Sequence, residues 1–178
     1  MQESASAGTA GRESRGMIAV IGCGNPNRSD DGVGPQVLRL LAEDASSGCD
    51  GDVRLLDAGT DGMAVMFAAR GCAKLIVVDA CRSGSECGAV FEVPGTELEA
   101  EPRDSLNLHD FRWDNALFAG RKIFRDEFPA DVTVFLIEAG SVDLGIGLSD
   151  AVAVSARKVA GRIRELIAER SSCEGKPS

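Results

Sequence analysis

The chain has no tyrosine, one tryptophan (Trp113) and one histidine (His109) among 178 residues. With so few aromatics, a core has to be assembled from Val, Ile, Leu, Ala and Met, and aliphatic, β-branched runs of this kind suit parallel strands covered on both faces. With a single histidine, any imidazole chemistry must use His109. No run approaches the roughly 18 consecutive apolar residues of a membrane span. The N-terminal stretch MQESASAGTAGRESRG lacks the apolar segment of a secretory signal, so a cytoplasmic location is expected. Lys and Arg form no cluster and the formal net charge is −9, which disfavours nucleic acid and anionic membranes as partners. The six cysteines include no CxxC pair and read as reduced thiols.

What is present is enough apolar sequence for one core: 44% of the residues are hydrophobic, and one domain over residues 17–170 is expected. Residues 1–16, rich in Ser, Ala and Gly without periodicity, read as a disordered leader, and residues 171–178 as a frayed tail. Met17–Gly22 is an apolar run ending in glycine, the pattern of a buried first strand. A helix is expected from Pro35 to about Glu43, a strand over 52–57 and a helix over 62–70 that stops at Gly71. Lys74–Asp79 is the clearest strand, with four consecutive apolar residues suited to a central position. Gly88–Val93 reads as a strand closed at an edge by Pro94-Gly95. Thr96–Asn107 reads as an acidic loop, His109 to about Phe124 as a helix, Val132–Ile137 as a strand, and Ser149–Glu169 as a long helix with Ser149 as its N-cap. The order β-α-β-α-β then implies right-handed crossovers and a largely parallel sheet.

In such a sheet ligands bind beyond the carboxyl ends of the strands. Asp31 follows the first strand, and Asp57 and Asp79 close the second and third. Carboxylates gathered there repel one another unless a cation or a proton offsets them. The first loop, Gly22-Cys-Gly-Asn-Pro-Asn-Arg-Ser-Asp-Asp-Gly-Val-Gly34, lacks the third glycine of a dinucleotide fingerprint, because Asn27 stands there. It delivers two adjacent carboxylates just before a helix, so one of Asp30 and Asp31 can cap while the other faces the crevice. His109, after the acidic loop, can complete an O,O,N trio with Asp31 and Asp79 that suits divalent first-row metals and leaves a coordination position open. Asp30 and Asp57 are expected to support or cap.

These motifs resemble the hydrogenase maturation endopeptidases, which remove a C-terminal extension from the large subunit of nickel–iron hydrogenases. The resemblance rests on four features in order. They are G-x-G-N…D-D-G-x-G over Gly22–Gly34; D-x-G-T-x-G-M over Asp57–Met63, followed by the strand ending in Asp79-Ala80; a downstream histidine; and the strand through Ile137 with Glu138, then G-x-G-L-S up to Ser149. The chain departs from the family pattern at the polar Pro26-Asn27-Arg28 and at Phe111-Arg-Trp113.

The resemblance implies a three-layer α/β/α sandwich with a mostly parallel central sheet of about five strands. It implies that Asp31, Asp79 and His109 are the metal and catalytic residues of an aspartyl-type endopeptidase. The nickel would be supplied by the substrate, an immature [NiFe]-hydrogenase large subunit, so that the protein in isolation, expected as a monomer, need hold no metal. No nucleophile elbow is present, which disfavours covalent catalysis. A second expectation, of a different class, is a non-catalytic metal-sensing chaperone of the same subunit. A weaker one is a nucleotide- or phosphate-binding enzyme.

Overall fold

Alternate residues of each apolar run face opposite sides of one sheet, and helices cover both. The computed structural model describes residues 16–44, 53–98 and 112–174. Its elements are β1 (Ile18–Cys23), α1 (Val33–Asp44), β2 (Val53–Gly59), α2 (Gly62–Ala69), β3 (Lys74–Cys81), β4 (Val90–Pro94), the short α3 (Gly95–Leu98), α4 (Trp113–Phe124), β5 (Asp131–Glu138) and α5 (Asp150–Glu174). The strand order is β2-β1-β3-β5-β4. All pairings are parallel except that of β4, which lies antiparallel to β5 at the edge.

The alternation divides the core into two layers. Ala19, Ile21, Leu75, Val77, Val132 and Val134 pack with residues of α2 and α4, among them Val65, Met66, Ala116 and Leu117. Ile18, Val20, Ile76, Val78, Phe135 and Ile137 pack on the other side against α1 and α5, through residues such as Val37, Leu41, Val159 and Ile163. This is the expected α/β/α sandwich with five strands. Because β1 lies between β2 and β3, and α1 and α2 lie on opposite faces, a crevice opens beyond the carboxyl ends of β1 and β3.

The boundaries differ from expectation where backbone chemistry decides. β4 begins at Val90 rather than Gly88, because Gly88 has φ +83°, outside the extended region. Thr96 belongs to α3 rather than to a loop. α4 begins at Trp113, since Arg112 is extended (φ −85°, ψ 172°) and forms its N-cap; His109 and the rest of 99–111 lie outside the described residues. The proposed leader also lies outside them, apart from Gly16, while α5 continues past Arg170 to Glu174. Among the described residues no helix is long and apolar enough to cross a membrane.

The loop after β1 is locked to the segment ahead of α5. Asp30, 1% exposed, accepts hydrogen bonds from the backbone N–H of Gly140 (2.9 Å), Ser141 (3.1 Å) and Ser149 (2.7 Å), and from Ser149 Oγ (3.0 Å). Ser149, just ahead of α5, accepts the Ala153 N–H on its carbonyl at 2.9 Å and donates its hydroxyl to Asp30. Alongside, the N–H of Ser29 donates to the Gly145 carbonyl at 2.9 Å and that of Gly145 to the Asn27 carbonyl at 3.0 Å. Burial alone would raise the Asp30 pKa, but the donors of Ser149, Ser141 and Gly140 outweigh it and hold the carboxyl below its ordinary value.

Asp30→Ala would leave three backbone donors without their acceptor. It is expected to cost about 2–4 kcal/mol, read as a lowered urea midpoint with unchanged slope. A midpoint within error of the parent protein would show that the lock contributes nothing to stability.

Candidate active site

The end of β1 turns sharply enough that side chains are excluded from it. A Cβ on Gly24 (φ +112°) would lie 1.9 Å from the Asp31 carbonyl oxygen, and one on Gly34 would lie 2.2 Å from that of Cys23. The loop thus folds back on itself and carries Asp31 over the strand ends, where Asp31 Oδ2 accepts the Asn25 N–H at 2.8 Å. Asp79 comes from β3, the neighbouring strand. Both line a cavity of about 810 Å³, together with Cys23, Asp61, Arg112 and Trp113 among others.

Asp79 is 4% exposed. Its Oδ2 accepts the indole N–H of Trp113 at 2.7 Å and a guanidinium N–H of Arg112 at 3.2 Å, while Oδ1 accepts the N–H of Ala80 at 2.9 Å. Burial is the strongest influence on this carboxyl and pushes its pKa above the ordinary value. Trp113, Arg112 and Ala80 oppose that shift, and the charge of Asp31 adds to it.

Of the predicted trio, then, Asp31 and Asp79 share one cavity, and His109 lies outside the described residues. Among the described residues no group of three His, Cys, Asp or Glu side chains is placed to hold a metal ion. Two carboxylates facing one cavity, one of them desolvated, nevertheless form a donor pair that fits a divalent cation needing further ligands.

The other acidic residues are committed elsewhere. Asp57 Oδ1 accepts the Gly59 N–H at 2.9 Å, and Asp61 caps α2 by accepting from Met63 (2.8 Å) and Ala64 (3.2 Å). Glu138, 3% exposed at the end of β5, accepts from the Ser83 N–H and hydroxyl, the Gly84 N–H and the Cys81 thiol. The Ser83 donors foremost hold its pKa at about 2.

Burial, and the hydrogen bond to Glu138, push the Cys81 thiol up to about 12, and burial beside Asp79 raises Cys23 further still. Neither thiol is a nucleophile at neutral pH. Cys23, Cys72, Cys81 and Cys87 are all unbridged. The roles of Arg112 and Trp113 were not foreseen; the only signal for them was the departure of Phe111-Arg-Trp113 from the family pattern.

A mostly parallel sheet covered by helices on both faces, with two carboxylates facing a cavity over adjacent strand ends, defines an α/β protein with its crevice at the strand ends. The family model described as hydrogenase maturation protease matches residues 36–166, a span that contains Asp79 and begins just after Asp31. The chain belongs to this family. It is 36% identical over 96 residues to the coenzyme F420 hydrogenase subunit delta of Methanothermobacter thermautotrophicus, an alignment covering 52% of this chain and 59% of that one, so the match spans about three fifths of that relative. The structure is similar to the hydrogenase maturating endopeptidase HybD from E. coli (TM-score 0.71, 22% identity, covering 86% of this chain and 93% of that one). It is also similar to the [NiFe] hydrogenase maturation protease HycI from Thermococcus kodakarensis (TM-score 0.66, 20% identity, covering 88% and 95%).

Two predictions follow from the electrostatics of these carboxylates. Glu138, with its pKa held down, contributes stability that is present above its unfolded value of roughly 4.3 and lost as pH falls toward its folded value. Acid unfolding followed by circular dichroism should therefore steepen between roughly pH 5 and pH 2, and Glu138→Gln should flatten that limb; an unchanged acid limb would rule the contribution out. Asp79 has the opposite sign, since its raised pKa makes the ionised form a burden at neutral pH. Asp79→Asn keeps an acceptor for Trp113, and its melting temperature should equal the parent's or exceed it by about 2–4 °C; a clear decrease would make Asp79 a structural anchor.

Proposed function

We propose that the protein is the endopeptidase that removes the C-terminal extension of an immature [NiFe]-hydrogenase large subunit, acting in the cytoplasm as a monomer on a subunit already loaded with nickel. The observation that carries this reading is the convergence of Asp31 and Asp79 on one cavity in a chain of the hydrogenase maturation protease family. The cavity, about 810 Å³, is of a size to admit an extended peptide segment.

In this reading Asp31 and Asp79, joined by His109, bind the nickel that the substrate carries. The metal would serve as the docking signal and, when present, would supply Lewis-acid polarisation of the scissile carbonyl or of a bound water. Water adds to the carbonyl carbon and the C–N bond breaks. The water's proton passes through a carboxylate to the departing amine. The high thiol pKa values of Cys23 and Cys81 support a reaction without a covalent thioester.

Purified protein mixed with the nickel-loaded precursor should shorten the large subunit by a C-terminal fragment, detected as an intact-mass decrease. Asp31→Ala, Asp79→Ala and His109→Ala should each slow this at least 100-fold, the scale of losing a group that acts on the transition state. A stable complex without cleavage would instead identify a chaperone that holds the immature subunit.

A further inference from the structure

Asp79 already has a cation on it. The Arg112 guanidinium donates to Oδ2 at 3.2 Å, on the same oxygen that Trp113 holds at 2.7 Å. The two partners differ in how firmly they are placed. Trp113 is 8% exposed, opens α4 and packs in the core layer between that helix and the sheet, so its N–H is fixed toward the carboxylate. The side chain of Arg112 is 67% exposed, whereas that of Asp79 is 6% exposed. Its backbone is the extended N-cap of α4, and its side chain makes no capping bond to the helix. Nothing in the α4 packing therefore has to change for the guanidinium to swing into solvent.

We infer that Arg112 is a placeholder cation, a positioning and specificity-determining residue that neutralises Asp79 until a metal displaces it, while Trp113 stays on the carboxylate and orients it. This rests on the reading that Asp31 and Asp79 form the metal-binding pair. A free divalent ion entering the cavity has to displace an ion pair held against a desolvated carboxylate. A metal that arrives attached to a protein substrate brings further contacts to offset that cost. The arrangement thereby selects metal presented by a partner over metal in solution.

Trp113 is the only tryptophan in the chain, so its emission reports directly on Asp79. Nickel sulfate titrated into the full-length protein should quench this emission as the paramagnetic ion binds beside the indole. Arg112→Ala is expected to bring the half-quenching concentration down roughly tenfold, the scale of one partly buried ion pair. Arg112→Gln, a second neutral variant, should behave likewise, and Arg112→Lys should restore the parent value. Asp79→Asn should abolish the quenching.

An unchanged or raised half-quenching concentration in the two neutral variants, with Asp79→Asn still silent, would overturn the placeholder and leave the metal pair standing. Undiminished quenching in Asp79→Asn would overturn both. Far-UV circular dichroism of each variant verifies that it is folded, and a purely structural role for Arg112 would not make nickel bind more tightly.

Discussion

A carboxylate shut away from water stays ionised only where enough donors surround it, and Asp30 has four, three of them backbone N–H groups from the segment 140–149. Through this side chain, and the backbone bonds of Ser29 and Gly145 beside it, the loop after β1 and the approach to α5 are tied into one body. Two motifs more than a hundred residues apart, the D-D-G of the first loop and the G-x-G-L-S before the last helix, are the two halves of that body. With Asp30 turned inward, the adjacent Asp31 is presented to the cavity. The position of a candidate catalytic group is thus set by a neighbour that takes no part in the chemistry.

The fold around this lock depends on close approach. Gly34 sits against the Cys23 and Val78 backbones, so α1 begins directly beneath the end of β1 and β3. Val33, at the start of α1, is fully buried as a result. That contact draws the start of α1 back from the expected Pro35 to Val33. Strand order does the rest: β3 crosses to the far side of β1 from β2, and the ends of β1 and β3 become neighbours over which the two carboxylates meet.

Much of this was legible in the residues because period and burial agree. Lys74–Asp79 reads as a central strand, and β3 is central, buried over its first six residues. Gly71, expected to stop the second helix, has φ +77°, but α2 ends at Ala69 ahead of it: Arg70 has already left the helical region (ψ 129°), and Gly71 completes the turn closed by the Cys72 N–H on the Ala69 carbonyl at 3.1 Å. The division of labour between Asp30 and Asp31 was visible only as a choice between them, since their spacing from the helix is nearly the same and only tertiary donors decide. The partners of Asp79 were illegible for a similar reason. Whether an indole N–H reaches a carboxylate depends on how α4 docks on the sheet, which local pattern does not encode. Glu138 was noted as a motif residue, but its role as the acceptor for the turn after β3 depends on the register that pairs it with Cys81.

Asp30 and Asp79 are the same chemical group, both nearly closed to solvent, and they differ in depth of burial and in the donors that meet them. Asp30 is met by fixed donors, so its charge is favoured and its pKa falls. Asp79 has one rigid donor in Trp113, its neighbour's N–H, and an arginine anchored only at its backbone; its pKa rises, and the charge of Asp31 across the cavity makes matters worse. A carboxylate left in that condition gains from any cation that can reach it. The incomplete compensation is what separates Asp79 from the fully satisfied Asp30. With a complete set of fixed donors Asp79 would keep its charge, as Asp30 does, but its oxygens would be engaged and less open to an incoming cation.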